Sequence, residues 1–120
     1  MRNQPKYHFF RNTSYAFSGL KEVFNHETSF KIEVVIFLIL LPFIFMIDFD
    51  IVERVLMFMT LSGMLLAEII NSAIERTVDL VTLEHHEMAK RAKDAGSAIV
   101  FVSIFIFCVV WGSFFYEKFF

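Results

Sequence analysis

Three apolar stretches constrain this chain more than any other feature. The first runs from about Ile32 to Ile47, the second from near Ile51 to Ala67, and the third from about Ala98 to Tyr116. A helix that crosses a bilayer needs roughly 20 apolar residues, and the third stretch is close to that length. The first two are short by this measure. They are expected to extend into their flanks, with Lys31, Glu33 and Arg54 near the interfaces. Pro42 lies inside the first, where it removes one backbone hydrogen bond and a kink is expected. The rest of the composition agrees. Of 120 residues, 57% are hydrophobic and 17 are Phe. A water-soluble globule this small cannot hide that much apolar surface, so the bilayer is the expected solvent. The chain reads as one domain, an all-α membrane protein.

Basic residues set the expected orientation. Arg2, Lys6, Arg11, Lys21 and Lys31 precede or open the first span. Arg76, Lys90, Arg91 and Lys93 lie between the second and third, and Lys118 alone follows the third. The first turn, with Asp48, Asp50, Glu53 and Arg54, is mostly acidic. The positive-inside rule places the N-terminus and the second connection in the cytoplasm and the C-terminus in the periplasm. Ahead of the spans, Tyr7, Phe9, Phe10, Tyr15, Phe17, Leu20 and Phe24 are interleaved with Lys6, Arg11, Asn12 and Lys21. This pattern suits a helix lying in the membrane interface; the alternative is a frayed tail. No cleavable leader is evident. A net charge of −2 gives no argument for nucleic acid. The single Cys108 cannot form an internal disulfide and reads as a small hydrophobe.

Chemistry concentrates where the second span ends. In Glu68-Ile-Ile-Asn71-Ser72-Ala-Ile-Glu75-Arg76-Thr-Val-Asp79 the polar residues Glu68, Asn71, Ser72, Glu75 and Asp79 fall at i, i+3, i+4, i+7 and i+11. That spacing puts them on one helix face. A carboxylate at a membrane boundary is costly unless it is paired, hydrated or bound to a cation. Stacked carboxylates repel unless a cation or proton offsets the repulsion. Mg²⁺ takes oxygen ligands and bridges one or two carboxylates to phosphate. A carboxyl in an apolar setting can also serve as a general base. The bland reading is a helix leaving the membrane with a solvated face. It suits Arg76 and Asp79 better than Glu68 and Asn71, which apolar residues flank on both sides.

A second cluster follows: Glu84-His85-His86-Glu87-Met-Ala-Lys90-Arg91-Ala-Lys93-Asp94-Ala-Gly96-Ser97. Adjacent side chains on a helix point about 100° apart, so the His pair is poorly arranged for zinc. Lys90, Arg91 and Lys93 suit phosphate or anionic headgroups, or simply mark the cytoplasmic end. Gly96, Ser97 and Ala98 would permit close helix packing. The chain has no Walker A pattern, no Gly-rich kinase loop and no HRD-type catalytic loop. The residues alone reach a three-span protein with an acidic, metal-compatible site at its cytoplasmic interface.

The string from Glu68 to Glu75, with Val78-Asp79 and then His86-Glu87, Arg91-Ala-Lys93-Asp94 and Gly96-Ser97-Ala98, resembles the signature of the small prokaryotic diacylglycerol kinases. Tyr15, Gly19-Leu20, Glu27 and Glu33 extend the likeness toward the N-terminus. The resemblance implies a single domain over 1–120. Its parts would be a surface helix within 1–25 and helices near 29–47, 51–82 and 95–117, assembled as a homotrimeric bundle with sites shared between subunits. It implies a multi-pass enzyme of the bacterial inner membrane that uses ATP and Mg²⁺ to phosphorylate diacylglycerol to phosphatidic acid. By position, Glu68 matches the general base, and Glu27 and Glu75 match metal ligands. Tyr15, Glu84, His85, His86, Lys93 and Asp94 match the nucleotide site, with Asn71 and Asp79 in support. Ser29, Glu33, Arg54 and Ser97 match the lipid path.

The chain departs from the family pattern in its first part. His8 stands where close relatives carry an Arg that contacts the site, with Arg11 one turn away. Ser14 replaces a common Gly, and Phe17 stands where relatives have a Trp. Some family members are undecaprenol kinases, which tend to read His-Pro and Ala-Ala-Ala-Gly-Ala. This chain has His86-Glu87 and Ala95-Gly96-Ser97-Ala98 there, which favours diacylglycerol. Two non-enzymatic readings stand beside the kinase: a small ion pathway through an intramembrane Glu68, and a structural subunit with a solvated helix face. An active kinase needs Glu68, Glu75 and Mg²⁺ together.

Overall fold

The computed structural model describes residues 6–120, and four helices account for nearly all of them. They are α1 (Phe9–His26), α2 (Thr28–Met46), α3 (Ile51–Val81) and α4 (Glu87–Phe119). α2, α3 and α4 are each long and apolar enough to cross a membrane. The first five residues of the expected surface helix, and with them Arg2, lie outside the described residues.

Each helix boundary has a local cause. α1 ends at Glu27, which is extended (φ −114°, ψ 109°) and donates its N–H to Val23 O. α2 starts at the next residue, so one residue turns the chain from α1 into the first span. α2 runs through Pro42 to Met46. α3 opens on a capping box: Asp50 Oδ1 accepts from the Glu53 amide at 2.8 Å, and Glu53 Oε1 accepts from the Asp50 amide at 3.3 Å. Two otherwise orphaned donors are satisfied there. α4 opens at His86, whose Nδ1 accepts from the Met88 amide at 3.1 Å. The last helix is expected near 95–117, but it starts at Glu87. Apolarity records where lipid begins. The cap at His86 and the acidic Glu87, which suits the positive end of the helix dipole, start the helix two turns earlier.

α3 is the central helix, in contact with the other three. α4 runs antiparallel along it, with Trp111 beside Met57 at one end and Lys93 beside Asp79 at the other. A compact apolar core fills the end near the α2–α3 turn. It comprises Ile44, Phe49, Met57, Leu61, Met64 and Trp111. Trp111 Nε1 donates to the Met57 carbonyl at 3.1 Å, in full burial. In lipid, apolar contact between helices has no hydrophobic drive, because acyl chains are as apolar as Leu. Tight packing and this hydrogen bond therefore hold α4 to α3. The turn is clamped too. Lys118 donates to the Asp48 carbonyl, and Arg54 Nη2 donates to the Ile47 carbonyl at 3.4 Å.

α1 is helical rather than frayed. Only Val23 of α1 is buried; Phe9, Phe10, Tyr15 and Phe17 are exposed. An aromatic helix that packs so little of itself, beside three spans, fits an interfacial position. It meets the rest of the chain at the start of α2 and the far half of α3.

Candidate functional site

The polar face of α3 begins where its apolar core ends. Ala67 and Glu68 are both buried, Glu68 to 7% exposure. The stripe at i, i+3, i+4 and i+7 turns Glu68, Asn71 and Ser72 inward, and all three are buried. Glu75 is partly buried, and Asp79 is exposed. The helix thus carries its polar face gradually out of the packed interior.

Carboxyls from three elements gather around Glu68. Glu33, one turn into α2, meets it side chain to side chain, and the charges of Glu75 and Glu27 act on it. Glu33 Oε2 is sealed from water and has no hydrogen-bond partner. Neighbouring carboxyls repel one another unless a cation or a proton offsets the repulsion. One cation is already at the edge. Arg76 donates to Glu27 Oε1 at 3.3 Å and to Glu22 Oε1 at 3.1 Å. It ties the surface helix and the α1–α2 junction to α3. Glu75 is oriented from within its own helix, where Asn71 Nδ2 donates to its Oε1 at 3.2 Å. The other Asn71 amide atom, Oδ1, is buried without a partner.

The donor set suits a hard divalent ion. Among the described residues no three His, Cys, Asp or Glu side chains form a ready cage. Mg²⁺ does not need one: it keeps several waters and takes one or two carboxylates together with substrate phosphates. Glu27 and Glu75 can supply those carboxylates.

A second region lies about the α3–α4 connection. A cleft of about 370 Å³ is lined by Thr82, Glu84, His85, His86, Lys93 and Asp94, among others. It brings together all of the nucleotide candidates except Tyr15, which is on α1 and largely exposed. Lys93 Nζ bonds Asp79 Oδ1 at 2.6 Å, which joins this cleft to the α3 stripe. Asp94 pairs with Lys90 at 2.7 Å. A cleft with ammonium groups at its rim can hold phosphate.

The remaining candidates are scattered. Ser29 is exposed in the first turn of α2, and Ser97 is exposed on α4 beside buried Gly96. Arg54 is in the first turn of α3, about 21 Å along the helix from Glu68, and is held to the turn at Ile47. The structure does not bring it together with the others. Sequence reasoning gave Arg76 to a solvated face. Its ion pairs with Glu22 and Glu27 span 54 and 49 residues, and only its place next to Glu75 hinted at them.

The family model described as prokaryotic diacylglycerol kinase matches residues 14–115. The chain is 39% identical over 105 residues to the diacylglycerol kinase of Haemophilus influenzae, covering 88% of this chain and 89% of the relative. It is 40% identical over 101 residues to the diacylglycerol kinase of Pseudomonas aeruginosa, covering 84% and 82%. It is also similar, at 35% over 102 residues, to the undecaprenol kinase of Bacillus subtilis, covering 85% and 83%.

Proposed function

Because this chain belongs to the prokaryotic diacylglycerol kinase family, we propose that it moves the γ-phosphoryl group of ATP to the primary hydroxyl of diacylglycerol, giving phosphatidic acid and ADP. The observation that carries this reading is the burial of Glu68 among facing carboxyls where α3 passes from apolar to polar. A lipid headgroup and a water-soluble donor meet at such a boundary.

Glu68 accepts the proton of the lipid hydroxyl as its oxygen bonds to the γ-phosphorus, while the bond from that phosphorus to the bridging oxygen of ADP breaks. Glu27 and Glu75 would hold Mg²⁺, which when bound neutralises charge on the phosphate oxygens. Asn71 keeps Glu75 turned toward the site. Lys93, freed from Asp79, binds phosphate in the cleft of Glu84, His85, His86 and Asp94. Tyr15, carried by α1, covers the nucleotide. Ser29, Glu33 and Ser97 line the approach of the lipid, and Arg54 engages lipid at the other face. The working form is a homotrimer in the bacterial inner membrane, with the N-terminus cytoplasmic and the C-terminus periplasmic. The basic residues that precede or open α2 and those about the α3–α4 connection support that orientation.

Undecaprenol is the second reading, since a Bacillus subtilis relative is named for it. The residues His86-Glu87 and Ala95-Gly96-Ser97-Ala98 favour diacylglycerol. The test is ATP-dependent phosphate transfer by the purified protein in mixed micelles, with both lipids compared, with and without Mg²⁺. Mg²⁺-dependent labelling of diacylglycerol is expected. Preference for undecaprenol would move the substrate and keep the site; labelling of neither lipid would remove the kinase reading.

A further inference from the structure

Gly96 is the only glycine of the described residues whose missing side chain matters for space. A Cβ built there would fall 2.3 Å from Asn71 Oδ1 and 3.6 Å from Ile74 Cδ1; at Gly19, Gly63 and Gly112 it would meet nothing within 4 Å. Non-bonded heavy atoms settle near 3.5–4.0 Å, so any side chain at 96 would push the Asn71 carboxamide by about 1 Å.

That carboxamide has little room to yield. Asn71 is 8% exposed and sits between α3 and α4. Its amide nitrogen is committed to Glu75 Oε1 at 3.2 Å. Its Oδ1 is the atom that lies against Gly96, and it is buried with no protein donor. The backbone of α4 therefore acts as a wall with one opening in it. The opening fixes the Asn71 rotamer, and the rotamer fixes Glu75.

We propose that Gly96 is a positioning residue: by leaving room for Asn71 it sets the orientation of the Glu75 carboxylate, and through it the geometry of metal and phosphate. This rests on the reading of Glu75 as a metal ligand. Packing of α3 on α4 alone would make a larger residue at 96 lower the melting temperature without weakening metal binding. Gly112, where an added Cβ would meet nothing within 4 Å, serves as the control position.

The test is a double-mutant cycle on the purified, detergent-solubilised full chain, using Gly96→Ala, Asn71→Ala and the two combined. Steady-state kcat and KM for lipid and for Mg-ATP are read, with thermal melting and Mn²⁺ binding by electron paramagnetic resonance in the presence of a non-hydrolysable ATP analogue. A misplacement of about 1 Å costs on the order of 100-fold. Gly96→Ala should therefore lower kcat by roughly 30–100-fold, leave the KM for lipid within about twofold, and weaken Mn²⁺ binding several-fold. In the Asn71→Ala background the same change should add nothing, because the added methyl then has space. Gly112→Ala should leave kcat as it is.

Fully additive losses would overturn the proposal, as would a Gly96→Ala protein with wild-type kcat and Mn²⁺ affinity and only a lower melting temperature. If Gly96→Ala alone does not fold, folding of the combined variant supports the contact and failure of both overturns it. The underlying reading fails separately: Glu75→Gln with wild-type Mn²⁺ binding removes Glu75 as a ligand, whatever the cycle shows.

Discussion

From Met57 to Met64, α3 is closed on itself and its neighbours. Met57, Leu61 and Met64 are buried against Ile44, Phe49 and Trp111; the Trp111 N–H has its acceptor in the Met57 carbonyl, and Thr60 Oγ1 donates to the Leu56 and Met57 carbonyls. From Glu68 to Asp79 the same helix is built differently. Glu68 and Asn71 are as buried as the core residues, yet Asn71 Oδ1 and the facing Glu33 Oε2 have no partner within the chain. Buried polar atoms are normally satisfied, and leaving one unpaired costs about 1–3 kcal/mol. The first region is apolar packing closed by its own hydrogen bonds, whereas the second buries carboxyl and amide groups. One helix serves as both anchor and site, and its two halves should respond to mutation in different observables.

The sharpest break between them is Glu68→Gln. Loss of a general base costs on the order of 10²–10⁴-fold, so phosphate transfer should fall by about 10³-fold while the melting temperature holds or rises, since one of the facing charges is gone. A variant with normal transfer would end the assignment of Glu68. Trp111→Ala is the mirror experiment. It removes packed volume and the indole hydrogen bond to the Met57 carbonyl, so stability should drop by about 3 kcal/mol. The residual folded protein should turn over normally, which a denaturation curve and an assay on the same sample would compare.

Arg76→Ala tests the junction between the surface helix and the site. Partly exposed ion pairs contribute roughly 0–1 kcal/mol each, and Arg76 makes two. A loosening of α1 by roughly fivefold is expected, read as faster amide exchange in residues 9–26 with the α4 amides unchanged. The smallest effect belongs to the turn. The Glu53 amide N–H, and then the Glu53 side chain, hold the Asp50 carboxyl below the usual aspartate range. A depressed carboxyl stabilises the folded chain above its unfolded value, and that contribution disappears as pH falls through the lower folded one. Asp50→Ala should melt slightly below wild type at neutral pH, and the two curves should merge in acid.

Much of this division is legible in the sequence. The period of Glu68, Asn71, Ser72 and Glu75 fixes one helix face, and the apolar runs locate the spans, because both signals are local. The pairs that complete the site are not local. Arg76 with Glu22 and Glu27, Glu33 with Glu68, and Gly96 with Asn71 each depend on how α1, α2 and α4 dock on α3, and no spacing along one helix reveals that. Arg54 illustrates the reverse case: its family likeness groups it with the lipid path, while its place in the acidic first turn, legible in the sequence, sets it apart from the others, as the fold bears out. The start of α4 at Glu87 was hidden for another reason, since hydropathy falls silent where a helix leaves lipid.

The length of α3 has a consequence of its own. At 31 residues and 1.5 Å per residue it is about 46 Å long, against a hydrocarbon layer of about 30 Å. Glu68 is about 26 Å along from Ile51, and Asp79 is about 16 Å higher still. The helix is a dipstick marked at two depths. A greasy acceptor need rise only to the lower mark, and a water-borne donor need sink only to the upper one. On the proposed roles of Glu68 and the α3–α4 cleft, bilayer thickness would set where the two reactants meet, so acyl length in the surrounding lipid would act as a tuning knob on it.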